Sequence, residues 1–155
     1  MKQVLTVGLL AFMLLLIFPG CEQGSEEERR LSRISEALGV DLLAGTLERY
    51  EDTHGGFHGD GLTSAVVELD GLEGDVGAVP GWKPLPLSEN AAQAVRLCGG
   101  EGSSVEQGFY YLYDRHSESR DPHDDAELHS RYSWNFTVAV YDAEAGRIYY
   151  YEFDT

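Results

Sequence analysis

The chain has 155 residues, with 11 Lys and Arg against 27 Asp and Glu and a formal net charge of −16. That balance argues against nucleic acid as a partner, since such binding depends on protein cations displacing the counterions of the phosphate backbone. Anionic lipid head groups are repelled in the same way, whereas cations or basic peptides stay open, and a high negative charge is also a plain solubility device.

Residues 1–20 read as a targeting segment. Lys2 gives a positive start, Val4 to Phe18 is an apolar run interrupted by Thr6 and Gly8, and Pro19-Gly20-Cys21 follows at once. A basic start, an apolar centre and a small residue before a cut make the signal-peptide plan. The run is shorter than the roughly 20 residues that cross the hydrocarbon layer as a permanent helix. Phe18-Pro19-Gly20-Cys21 resembles the lipobox of bacterial lipoproteins, in which a diacylglycerol is attached to the Cys and a signal peptidase cuts before it. Gly20-Cys21 fits that pattern, while Phe18 stands where Leu is usual and Pro19 is atypical. On this reading Cys21 carries lipid of the palmitate type, with each buried methylene contributing about 0.8 kcal/mol to membrane attachment. Residues 21–25 are then the tether and 26–155 a single domain on the extracytoplasmic face of the cell membrane. The competing reading is an ordinary cleaved signal with an incidental cysteine.

Cutting before Cys21 removes Lys2 and leaves 10 Lys and Arg against 27 Asp and Glu, a formal charge of −17. If Cys21 is lipidated, Cys98 has no partner for an internal disulfide. A Cys21–Cys98 bridge is the alternative, although Cys21 precedes the first structured element and would staple little.

Ser25-Glu26-Glu27-Glu28 matches the capping-box pattern, and Leu31, Ile34 and Leu38 follow at helical spacing, so a helix is predicted over 26–38. Strands are predicted from Thr46 to Glu51 and from Leu62 to Leu69, joined by a glycine-rich tip. Residues 70–87 read as irregular. Ser88 caps a second helix of about ten residues, ended by Gly99-Gly100. Asp121-Pro122 reads as an N-cap and first helical residue, opening a short helix over 122–129. Phe109–Tyr113, Ser133–Tyr141 and Arg147–Phe153 complete an antiparallel sheet of about five strands. Two helices are expected to pack on one face of it, in an α+β domain. The late tyrosines suggest a stripe on the outer face of that sheet, a surface that suits a peptide or glycan.

All five histidines fall in two Asp-rich loop regions: His54 and His58 in the first, and His116, His123 and His129 in the second. Brought to one end of a sheet, Asp52, His54, His58, Asp60 and His116 would form a polar pocket suited to a divalent metal. The spacing alone is not specific. Gly55-Gly56 forbids the helical face of a His-x-x-x-His zinc motif, and the alternating ligands of a calcium loop are missing. The simpler account is a hairpin tip whose Asp and His groups fix the turn by accepting from backbone N–H groups. Arg115, Arg120 and Arg131 most simply pair with neighbouring acids. No nucleophile elbow or phosphate loop is present.

Three stretches carry a resemblance: Asp52 to Gly61, Tyr113 to Glu118, and Arg131 to Phe136 running into Ala139-Val140-Tyr141-Asp142. Together with the Tyr-rich end they resemble a family of uncharacterised small lipoproteins from Firmicutes-type bacteria, across most of residues 31–155. The resemblance implies a bacterial, lipid-anchored protein and carries no activity with it. The function expected is a binding or interaction module with a protein or small-ligand partner and no cofactor. The alternative is a metal-dependent or acid–base enzyme whose site joins the 52–61 and 114–131 loops.

Overall fold

The computed structural model describes residues 25–55, 59–69, 76–116 and 118–155. Helix α1 spans Glu26–Leu38, and its start is the capping box expected from the sequence. Ser25 Oγ accepts from the Glu28 N–H at 3.1 Å, and the Ser25 N–H donates to Glu28 at 2.8 Å. Leu31, Ile34 and Leu38 form its buried stripe.

Among the described residues six strands follow: β1 Thr46–Asp52, β2 Gly61–Glu68, β3 Trp82–Pro84, β4 Gly108–Asp114, β5 Phe136–Asp142 and β6 Arg147–Asp154. Helix α2, Glu89–Leu97, lies between β3 and β4. The strands make one antiparallel sheet in the order β1-β2-β6-β5-β4-β3. The expected α+β class therefore holds, with six strands in place of five. The extra strand is β3, three residues long and hidden in sequence by its Gly and Pro neighbours. Pro84 is tolerated there because β3 is an edge strand, where a missing N–H breaks no inner ladder.

The two helices do not share a face. Leu31, Ile34 and Leu38 of α1 cluster with Ala65, Val67, Ala139, Ile148 and Tyr150. Ala91, Ala94 and Val95 of α2 cluster with Tyr110, Leu112, Val138, Val140 and Tyr151, the alternate residues of the same strands. The sheet is covered on both sides because its central strands are apolar at successive positions. Half of the late tyrosines are consequently interior: Tyr110, Tyr111, Tyr150 and Tyr151 are buried, Tyr113, Tyr141 and Tyr149 are half-buried, and Tyr132 is the exposed one, at 88 %.

Helix α1 crosses the sheet from edge to edge. Glu27 accepts from the Leu47 N–H of β1 at 3.1 Å, and Arg30 lies 4.2 Å over the Tyr50 ring. Arg33 meets Glu152 of β6, and the Leu38 carbonyl accepts from the Trp82 indole of β3 at 3.0 Å. One helix cannot blanket six strands, so part of this face stays open beside α1.

The helix expected over 122–129 is replaced by turns and a single 3₁₀ turn at Leu128–Ser130. Asp121 accepts from the His123 N–H and Asp124 from the Ala126 N–H, both at 3.0 Å. The first is the bond of an N-cap, but the second takes an N–H that the helical ladder would need. No helix among the described residues is long and apolar enough to cross a membrane.

Candidate functional site

The pairing register brings the ends of β1, β4 and β6 together with the starts of β2 and β5. Asp52 pairs with Thr63, Gly61 with Asp154, and Phe136 with both Phe153 and Asp114. The loops after β1 and β4 thus leave the same end of the sheet, with β6 between them.

His54 is clamped there between two carboxylates. Its Nδ1 lies 2.8 Å from Asp52 and 3.2 Å from the Thr63 hydroxyl, and its Nε2 lies 3.1 Å from Asp154. The ring donates to both carboxylates only when both nitrogens carry protons. The His54 N–H also donates to Asp52 at 2.9 Å. That backbone bond holds the Asp52 carboxyl below its usual range, against the opposing effect of burial and with added help from the imidazole. Gly61 makes the clamp possible, since a Cβ there would stand 2.6 Å from the His54 backbone.

Asp154 links this clamp to the second loop. Arg115 donates to Asp154 at 3.0 Å, to Glu152 at 3.1 Å, and to the carbonyls of Phe136 and Phe153 at 3.3 Å. Glu152 also accepts from Arg33 at 3.1 Å and from the Tyr150 hydroxyl at 3.0 Å. Burial works to lower the Arg33 pKa, and the Glu152 charge and hydrogen bond together with Tyr50 and Tyr150 more than reverse it. Burial, reinforced by the same carboxylate, pushes the Tyr150 phenol up.

The other candidate residues lie apart from this network. His116 is buried against Tyr132, accepts from the Glu118 N–H at 3.2 Å, and makes its contacts within its own loop. Asp60 is exposed near the hairpin tip. His58 and Cys21 lie outside the described residues. Among the described residues no group of three or more His, Cys, Asp or Glu is arranged to hold a metal ion.

Beside the network, between α1 and the sheet, runs a groove of about 480 Å³. Arg33, Glu36 and Ala37 of α1 form its wall, and Tyr111, Tyr113 and Thr137 belong to its floor. Tyr111 is 6 % exposed and Thr137 4 %. Neither side chain has a hydrogen-bond partner among the described residues. His123 braces the floor: its ring meets Tyr111 and Tyr113 edge-on at 5.4 and 5.3 Å, while its Nδ1 lies 2.9 Å from the Leu112 carbonyl. Gly81, at φ +92, leaves room for that brace, since a Cβ would sit 2.3 Å from the imidazole.

A larger concavity of about 630 Å³ on the α2 side of the sheet is lined by charged groups that mostly pair with one another, the buried Arg147 Nε–H excepted. Arg49 pairs with Glu101, and Arg147 pairs with Glu48 at 3.1 Å. The smaller groove keeps unused polar groups and is the better candidate for a ligand.

Histidine and Asp content points to the loops but not to Glu152, Asp154, Arg33 or Thr137. Their one signal is polar residues at alternating positions of otherwise apolar strands, as in Thr63, Thr137, Glu152 and Asp154 on one face. The chain matches no protein-family model, no curated protein and no solved structure.

Proposed function

We propose that the chain is an extracytoplasmic bacterial lipoprotein, held on the cell membrane by lipid on Cys21, and that its domain is a binding module. The groove beside α1 is its ligand site. One observation carries the binding reading: the side chains of Tyr111, Tyr113 and Thr137 line the groove, and their hydroxyls have no protein partner among the described residues. Hydroxyls that open onto a groove and bond no protein group are left for water or a ligand. Thermal-shift measurements on the full chain against small polar compounds test this. Stabilisation by one of them, lost in Tyr113→Ala, is the expected result. A panel that moves neither protein would count against it.

The lipid anchor is supported by the order of the N-terminal features: a basic start, an apolar run, Gly20-Cys21 and then the Ser25 cap. Replacing Cys21 by Ser is expected to move the protein from the membrane fraction to the soluble one. Continued membrane association would identify the uncut apolar segment as the anchor.

The competing reading is a metal-dependent or acid–base enzyme built on Asp52 and His54. It is less well supported because both ring nitrogens of His54 already face carboxylates, which leaves neither free to take a substrate proton. A thermal shift with zinc or calcium that disappears in His54→Ala would favour it.

A further inference from the structure

We infer that the ligand of the groove is a neutral saccharide, an inference that rests on the groove being a ligand site. The charges along it balance: Arg33 and Arg115 stand against Glu36 and Glu152. An anion would meet both carboxylates and a chain of formal charge −16, while a cation would meet two guanidinium groups.

The floor is made of hydroxyls. Those of Tyr111, Tyr113 and Thr137 have no protein partner among the described residues, and each both donates and accepts. A sugar ring offers hydroxyls with the same dual capacity and so satisfies such a floor without any change of protonation. One further polar group is unused at the edge: the exposed Glu36 carboxylate has no donor among the described residues.

Aromatic surface supplies the complementary apolar contact. The rings of Tyr111 and Tyr113 lie in nearly parallel planes, 5° apart with centroids 6.4 Å apart. Tyr111 is buried, so the half-buried Tyr113 ring is the one that offers apolar area with a polar tip to the C–H face of a pyranose. The volume, about 480 Å³, falls within the roughly 300–1,000 Å³ of small-molecule sites. A zwitterionic amino acid fits less well, because Arg33 and Arg115 already pair with Glu152 at 3.1 Å, whereas Tyr111, Tyr113 and Thr137 offer neutral hydroxyls.

Isothermal titration of the detergent-solubilised full chain tests this, with glucose, N-acetylglucosamine and cellobiose as sugars and leucine and tyrosine as zwitterions. Saturable heat is expected from at least one sugar. Thr137→Val and Tyr113→Phe should each weaken that binding about three- to tenfold while leaving the unfolding midpoint within about 2 °C of the parent. Saturation by a zwitterion with no heat from any sugar would overturn the saccharide and keep the ligand site. Silence from both classes would overturn both. Sugar binding indifferent to the two substitutions would place the site elsewhere and also overturn the inference.

Discussion

Asp114 is 2 % exposed, yet it is fully engaged. It pairs with Arg131 and accepts from the His116 N–H at 3.0 Å. Removing one member of a buried pair leaves the other charge stranded, at a cost of about 3–5 kcal/mol. Arg131→Met should therefore lower the urea midpoint steeply, while the double replacement Asp114→Leu with Arg131→Met loses much less. Asp52 makes a pH-dependent contribution. Its carboxyl is held below the ordinary carboxylate range, so the folded state favours its charged form. That stability is fully present above the unfolded value and is lost as pH falls through the folded one. Asp52→Asn should flatten the acid limb of a stability–pH curve. Cys98 behaves in the opposite sense: burial pushes its thiol up to about 12, and the thiolate is the reactive form. Native protein at neutral pH should leave Cys98 unmodified by a disulfide reagent that labels it fully in urea.

At the scale of elements, the parts with strong local chemistry were legible in the sequence. Helix α1 starts at its capping box and follows its Leu31, Ile34 and Leu38 stripe. Ser25→Ala should cost about 1 kcal/mol, read as a lower denaturant midpoint. What stayed hidden depended on distant partners. The β3 strand is three residues long and exists through its pairing with Tyr110 and its neighbours in β4. The helix expected at Pro122 fails because the Pro122 carbonyl accepts from the Asp114 N–H of β4 at 2.7 Å, while Asp124 takes the Ala126 N–H that a helix would send to it. Residues 133–135 precede β5 instead of starting it: the Trp134 N–H goes to Thr155 and the Asn135 carbonyl to the Arg115 N–H. Gly81 belongs to the same class, because its demand comes from His123 across the chain. Gly81→Ala should destabilise the fold and shift the His123, Tyr111 and Tyr113 ring resonances.

For the whole molecule, the apolar Phe109–Tyr113 segment contained the clue that both sheet faces are covered. That run alternates Tyr111 into the α1 core with Tyr110 and Leu112 into the α2 core. The candidate site was only half visible. Histidine and Asp content marked the loop end of the sheet, and Asp52 and His54 do meet there. Glu152 and Asp154, which join them to Arg115, were concealed inside a strand that reads as core. The groove was concealed entirely, because it arises where α1 stops covering the sheet.

That groove is the centre of the functional account, and the Tyr111 hydroxyl is its most exacting element. Thermal unfolding of Tyr111→Phe without ligand tests whether the hydroxyl is kept for binding or for the fold. The predicted melting temperature equals that of the parent or exceeds it by up to about 3 °C, since no protein partner is lost. A melting temperature several degrees below the parent would show that the hydroxyl is structural and contradict the account.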